Sequence, residues 1–169
     1  TVKGFIKKQL FRIAPRYANV RLACSDKAGK CLFPHTDFEF VPNGIDANAF
    51  CYDPVRRNEM RKWLGVANNV VYGLVGRMHS AKNHAFLLDV FANVRKRMPE
   101  ARLLLVGDGE LMEAVRGRAE RLGLMDSIIF AGLQMNAADW YQAMDVFAMP
   151  SLFEGLPLTG VEAQCAGLP

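Results

Sequence analysis

Residues 76–83 read Gly-Arg-Met-His-Ser-Ala-Lys-Asn and set two cations, Arg77 and Lys82, five positions apart. Arg77 sits just past an apolar run, and Lys82 near the start of the next helical pattern, where unpaired backbone N–H groups already favour an anion. A diphosphate would meet two charges and a helix terminus there; the same residues would equally serve as a solvated loop with ordinary surface cations. A second constellation pairs Glu154 with Glu162, eight positions apart, and Pro157 between them is placed to start a helix. That helix start offers donors to phosphate, while Glu162, pointing inward, can accept both hydroxyls of a ribose. Read blandly, Glu162 is a surface helix residue and Glu154 a macrodipole partner. The turn Gly107-Asp108-Gly109 invites comparison with a dinucleotide fingerprint and fails it. Met112 stands where the third glycine belongs, and no strand ending in an acid follows at the expected distance. Gly109 then either allows a tight turn beside a ligand or simply caps a strand.

The elements that must position these residues are written in a regular rhythm from Asn69 onward. Apolar runs at VVYGLVG, ARLLLVGDG, SIIFAG and DVFAMPS alternate with helical patterns at NHAFLLDVFANVRKRM, ELMEAVRGRAERLG, AADWYQAM and LTGVEAQCAG. Near-continuous Val/Ile/Leu strands alternating with helices predict an α/β fold, a doubly wound, Rossmann-like parallel sheet covered on both faces. Ligands of such sheets lie outside the carboxyl ends of the strands. Function is therefore expected in four loops, 76–83, 107–110, 132–136 and 151–159. Upstream, VRLAC and FEFV read as short strands, and residues 2–14 as a basic amphipathic helix ended by Pro15.

Composition narrows the classes. The 169 residues are 51% hydrophobic and 22% charged without biased tracts, the profile of a folded globular chain rather than a disordered one. No apolar run reaches the roughly 20 residues of a spanning helix, and the first residues lack a signal peptide's apolar centre. Four cysteines occur without a C-x-x-C pair, which fits reduced thiols in cytosol, and the three histidines match no zinc spacing with them, so no metal site is expected. The net charge of +4 is uneven: the first 30 residues carry eight Lys/Arg against Asp26 alone, the rest 13 against 16 acids. The later part lacks the basic residues interleaved with aromatics that a nucleic-acid face would need, and no nucleic-acid partner is expected.

Taken in order, Arg77 with Lys82, LLLVGDGE, Phe130-Ala131-Gly132 and MPSLFEGLPLTGVEAQCAGLP resemble the group 1 (family 4) glycosyltransferases of the two-domain B-type fold. Glu154 and Glu162 match their E-x7-E motif, and Asn43-Gly44-Ile45-Asp46 after Val41-Pro42 resembles the Asn-Gly-Val-Asp turn that opens their donor domain. The resemblance spans roughly Cys24 to Pro169. It implies retaining transfer of a sugar from a nucleoside-diphosphate sugar, with UDP as the family-weighted nucleotide, in bacterial capsule or exopolysaccharide synthesis. Arg77, Lys82 and Glu154 become the catalytic set, the two cations on the donor diphosphate and Glu154 on the transferred sugar. Glu162 would hold the ribose, the backbone of Gly155, Leu156, Leu158 and Thr159 the phosphates or sugar hydroxyls, and the loop at Gly132 and Leu133 the base. Gly76, Gly107 and Gly109 complete the donor-binding set.

The absence of any Asp-x-Asp agrees with the metal-independent style of this family, and no cofactor beyond the donor is expected. The reading assigns residues 1–21 to the tail of an N-terminal acceptor domain and 22–169 to a donor domain incomplete at its end, so that this segment alone is expected to be catalytically silent. A glycan or lipid-linked acceptor would bind the missing domain. The location expected is cytoplasmic, with the basic helix packed on that domain or docked at an anionic membrane surface. Two rivals are a non-catalytic nucleotide-sugar-binding module and a dinucleotide-dependent sugar-nucleotide epimerase or oxidoreductase. The latter is disfavoured by Met112 and by the lack of a Tyr-x-x-x-Lys pair.

Overall fold

The structure, a computed structural model, describes residue 13 and residues 17–169. The predicted basic helix at 2–14 lies outside the described residues except for Ile13. The chain forms two compact units, residues 1–44 and 45–169. That division falls inside the Asn43–Asp46 turn, whereas the sequence reading divides the chain between 21 and 22.

In the first unit β1 (Leu22–Ala23) and β2 (Glu39–Phe40) pair in parallel, and α1 (Asp26–Leu32) connects them. Ser25 caps α1 by accepting from the Ala28 N–H at 3.1 Å, which meets one of the helix's unpaired donors. Gly29 faces the Phe38 ring so closely that a Cβ there would overlap it. Strand, helix and strand thus satisfy one another locally, which is why residues 22–44 form part of this unit.

The second unit opens with two short-loop helices, α2 (Ala47–Phe50) and α3 (Pro54–Trp63). Asp53 caps α3 by accepting from Val55 and Arg56 N–H, and Pro54 occupies the first turn, where its missing N–H costs nothing. Four strands follow, β3 (Val71–Val75), β4 (Arg102–Val106), β5 (Ile128–Gly132) and β6 (Val146–Phe147), all parallel in the order β5-β4-β3-β6. The connecting helices are α4 (His84–Arg97), α5 (Met112–Arg121) and α6 (Ala137–Ala143), with α7 (Leu158–Cys165) after β6. The doubly wound expectation is met. Side chains alternate across the sheet: Leu103 and Leu105 join Leu88, Phe91 and Val115 on one face, while Leu104 and Val106 join Trp140, Tyr141 and Met144 on the other.

Three local features depart from the sequence reading. The strand expected over 145–151 is only Val146–Phe147, and Pro157 takes the N-cap position of α7 rather than its first turn. Helix α3 was not foreseen, and neither was its tie to the sheet. Arg57 and Arg61 both reach Asp145, and Asp145 also accepts from Val71 N–H at 2.8 Å. Arg61 further donates to Ala143 O at 2.9 Å, Ala67 O at 3.3 Å and Asn69 O, so both terminal nitrogens of a buried guanidinium are engaged.

Candidate functional site

Strand β3 has β4 on one side and β6 on the other, so the winding reverses between β3 and β6. The loops leaving those two strands are therefore the walls of the crevice that this architecture reserves for ligands. They are joined directly: Leu152 N–H donates to Ala81 O at 2.8 Å, and the Asn83 side-chain amide to Pro150 O at 3.3 Å. Between them Lys82 Nζ lies 2.8 Å from Glu154 Oε1, with side-chain exposures of 19% and 25% although Glu154 sits on an exposed stretch of loop. Burial pushes the Glu154 pKa up, but the hydrogen bond and charge of Lys82 outweigh it and hold the group below the ordinary glutamate value.

Arg77 is the more open cation, 73% exposed and 3.2 Å from Glu110 Oε2. His79 accepts from Ala81 N–H through Nδ1 and turns Nε2 toward the same carboxylate, 3.5 Å away. Each cation of the 76–83 loop thus has a carboxylate partner, and Glu110, which carried no role in the sequence reading, is one of them. Its signal was its place at the end of a strand-to-helix turn.

Beside Arg77 an open cleft of about 590 Å³ runs over the carboxyl ends of β3, β4 and β5. Gly76, Gly107, Gly109 and Leu133 line it, with Gln134 and Asp108. Glycine is required at 107 and 109 by close backbone approach: a Cβ at Gly107 would overlap the Gly76 carbonyl, and one at Gly109 would stand 2.6 Å from Met78 O. Gly109 thus packs against the Met78 backbone while also lining the cleft. Gly132 holds a left-handed φ of 67°, which turns the chain from β5 into the Leu133 loop. Leu133 itself is 75% exposed.

The β6–α7 side gathers the remaining candidates away from that cleft lining. Above Gly155 there is open space, and Leu156 is an exposed loop residue. Leu158 and Thr159 begin α7, which has no side-chain cap, and the buried Thr159 Oγ1 has no partner. Glu162 is half-buried, and its Oε2 accepts from the Tyr141 hydroxyl at 2.7 Å. Tyr141 is wholly buried; burial first, and the Glu162 carboxylate second, raise its pKa, so it stays a donor. Tyr141 therefore orients Glu162, a role that nothing in AADWYQAM announces. Among the described residues no group of three or more His, Cys, Asp or Glu is arranged to hold a metal ion. No helix among them is long and apolar enough to cross a membrane.

A family model described as "Glycosyl transferases group 1" matches residues 69–169, the whole of the strand and loop series just described. The chain belongs to the group 1 glycosyl transferases. EpsF of Bacillus subtilis (strain 168), which its name places among glycosyltransferases, is 37% identical over 158 residues, covering 90% of this chain and 41% of EpsF. The GDP-mannose-dependent alpha-(1-6)-phosphatidylinositol monomannoside mannosyltransferase of Mycolicibacterium smegmatis is 30% identical over 145 residues, covering 80% and 38%. Among solved structures, Anabaena HepE in complex with UDP-glucose superposes with a TM-score of 0.82 at 28% identity, covering 96% of this chain and 46% of HepE. The chain spans less than half the length of each of these group 1 relatives, and its fold is that of the C-terminal part of their two-domain architecture.

Proposed function

We propose that this chain provides the donor-binding surface of a retaining glycosyltransferase that takes a nucleoside-diphosphate sugar, a UDP-sugar in the first instance, for polysaccharide assembly. The observation that carries the reading is the Lys82–Glu154 pair at the reversal of the sheet, next to the open cleft beside Arg77. Transfer of a sugar leaves a diphosphate whose charge grows in the transition state, so fixed cations there stabilise the transition state more than the bound substrate. Lys82, Arg77 and the uncapped start of α7 supply that charge and those donors. Glu162, oriented by Tyr141, accepts from the ribose hydroxyls, and Glu154 from the transferred sugar. The base lies in the cleft against Leu133 and Gln134. In this reading the ion pairs Lys82–Glu154 and Arg77–Glu110 are what the donor displaces.

UDP is chosen over other nucleotides because HepE carries UDP-glucose on a similar scaffold; the mycobacterial relative is named for GDP-mannose. A glycan or lipid-linked acceptor, together with residues 1–21, belongs to a part of the enzyme beyond this donor surface. The enzyme works on the cytoplasmic side, where nucleotide sugars are present, with a peripheral anionic-membrane contact through its basic segment. Calorimetry tests the core of this proposal. UDP is expected to bind with and without EDTA, more tightly than GDP, and more weakly as salt rises because Arg77 and Lys82 contribute a screened charge term. Binding that needs magnesium, or that ignores salt, overturns it.

A further inference from the structure

Behind the 80–83 turn lies a second, smaller cavity that the donor reading does not use. It holds about 160 Å³ and is lined by Ser80, Asn83, His84, Leu111, Arg118 and His79 among others, with no carboxylate in its wall. His84 is the first residue of the 14-residue helix α4 and only 2% exposed, yet both of its ring nitrogens lack a partner. Arg118 holds Asp89 with two contacts of 2.7 Å through Nη2 and leaves its buried Nε unpaired. The side chain of Asn83, the N-cap residue of α4, is committed to Pro150 O, so the helix start has no side-chain cap. Unpaired buried donors cost free energy comparable to lost hydrogen bonds. Here they converge on one cavity that is several times the roughly 30 Å³ share of a single water.

We propose that this cavity is a binding site for a small oxyanion of inorganic-phosphate size, held by a His84 ring N–H, Arg118 Nε–H and the start of α4. The nearest acids, Asp89 on Arg118 Nη2 and Glu110 beside His79 Nε2, leave Arg118 Nε–H, the His84 ring and the helix terminus unpaired, donors that together can recognise an oxyanion. Burial, and then the charge of Lys82, lower the His84 pKa to about 4, so the ring enters as a neutral donor at neutral pH. An oxyanion facing it would favour the protonated ring and so raise that pKa. Because the Ser80–Asn83 turn also carries Lys82, occupancy of this site and of the donor cleft share one structural element, and any effect of one on the other must be reciprocal. The cavity itself does not depend on the donor being UDP.

The test is a titration of the protein with inorganic phosphate, followed by nitrogen-15 NMR of selectively labelled histidine, with and without saturating UDP. The His84 ring signals are expected to shift saturably in both series, since UDP occupies a different site. Arg118→Gln, a change at a half-exposed helix position, is expected to weaken phosphate about tenfold without lowering thermal stability by more than a few degrees. His84→Asn should abolish the saturable response, read on the neighbouring His79 signal. Three results would each overturn the site: shifts that stay linear in phosphate, a response that UDP removes, or an Arg118→Gln protein that binds phosphate as the parent does. Absence of UDP binding would instead count against the donor reading, and the phosphate series without UDP still decides this one.

Discussion

At the scale of single residues, the pairing of Lys82 with Glu154 sets the sign of a mutational effect. With no donor present the cation is held by the carboxylate at 2.8 Å, so a diphosphate must compete for it. Glu154→Gln is therefore expected to strengthen UDP binding, by up to about fivefold, or about 1 kcal/mol, the usual upper worth of a pair with some solvent access. The same change should lower turnover in the complete enzyme through the lost sugar contact. Glu162→Ala is expected to act in the opposite sense, weakening UDP and UDP-sugar alike by roughly ten- to a hundredfold through a lost charge-assisted hydrogen bond. Parallel calorimetric titrations separate the two, and equal losses of UDP in both variants would refute the assignment. Because the Glu154 pKa is depressed, the pair is intact above the ordinary glutamate value and is lost only as pH falls through the depressed one. The gain on Glu154→Gln should accordingly be the same at about pH 6 and about pH 8.

At the scale of elements, the site rests on a sheet whose short β6 is held in place by side chains as much as by backbone. Asp145 accepts from Val71 N–H and from Arg57 and Arg61 of α3, and so ties that helix to the starts of β3 and β6. Burial pushes the Asp145 pKa up, while those hydrogen bonds and the charge of Arg61 bring it below the ordinary value. Asp145→Asn would leave Arg61, 9% exposed, without its counter-charge. A loss of roughly 3 kcal/mol is expected, the lower end for a broken buried pair because Asp145 keeps some solvent, with a Tm lowered by roughly 6–12 °C. The sign with pH follows from the depressed pKa. Asp145 contributes its full stability above the ordinary aspartate value and loses it as pH falls through the depressed one, so the parent should lose this increment in acid and the variant should not. Thermal unfolding from neutral to acidic pH measures both.

For the whole molecule, the division between residues 44 and 45 leaves every proposed donor contact inside one compact unit. Ligand binding should then stabilise that unit by linkage: UDP at about a hundred times its Kd adds about 2.7 kcal/mol. UDP is expected to slow proteolysis throughout residues 45–169 and to leave cleavage within 17–44 unchanged, a pattern that mass spectrometry of timed digests reads directly. Uniform protection of both units, or of neither, would contradict a donor site built from the second unit alone.

The alternation of apolar runs with helical patterns from Asn69 onward determined the parallel sheet and the loops at the carboxyl ends of its strands, because burial on both faces leaves a period that any reading of the chain can detect. That Arg77, Lys82, Glu154 and Glu162 lie in or next to the loops leaving β3 and β6 was legible, because each follows one of the apolar runs in the chain. Partnership was not legible. That Lys82 holds Glu154, Arg77 holds Glu110, and Tyr141 orients Glu162 depends on loops separated by up to 72 positions meeting at one point. Helix α3 was equally hidden, because Arg57 and Arg61 look like solvated charges until the sheet brings Asp145 beneath them. Sequence spacing records which side chains leave one element together. Only the folded sheet, with its winding reversed between β3 and β6, decides which of them come into contact, since distance in space is set by strand order and not by position along the chain.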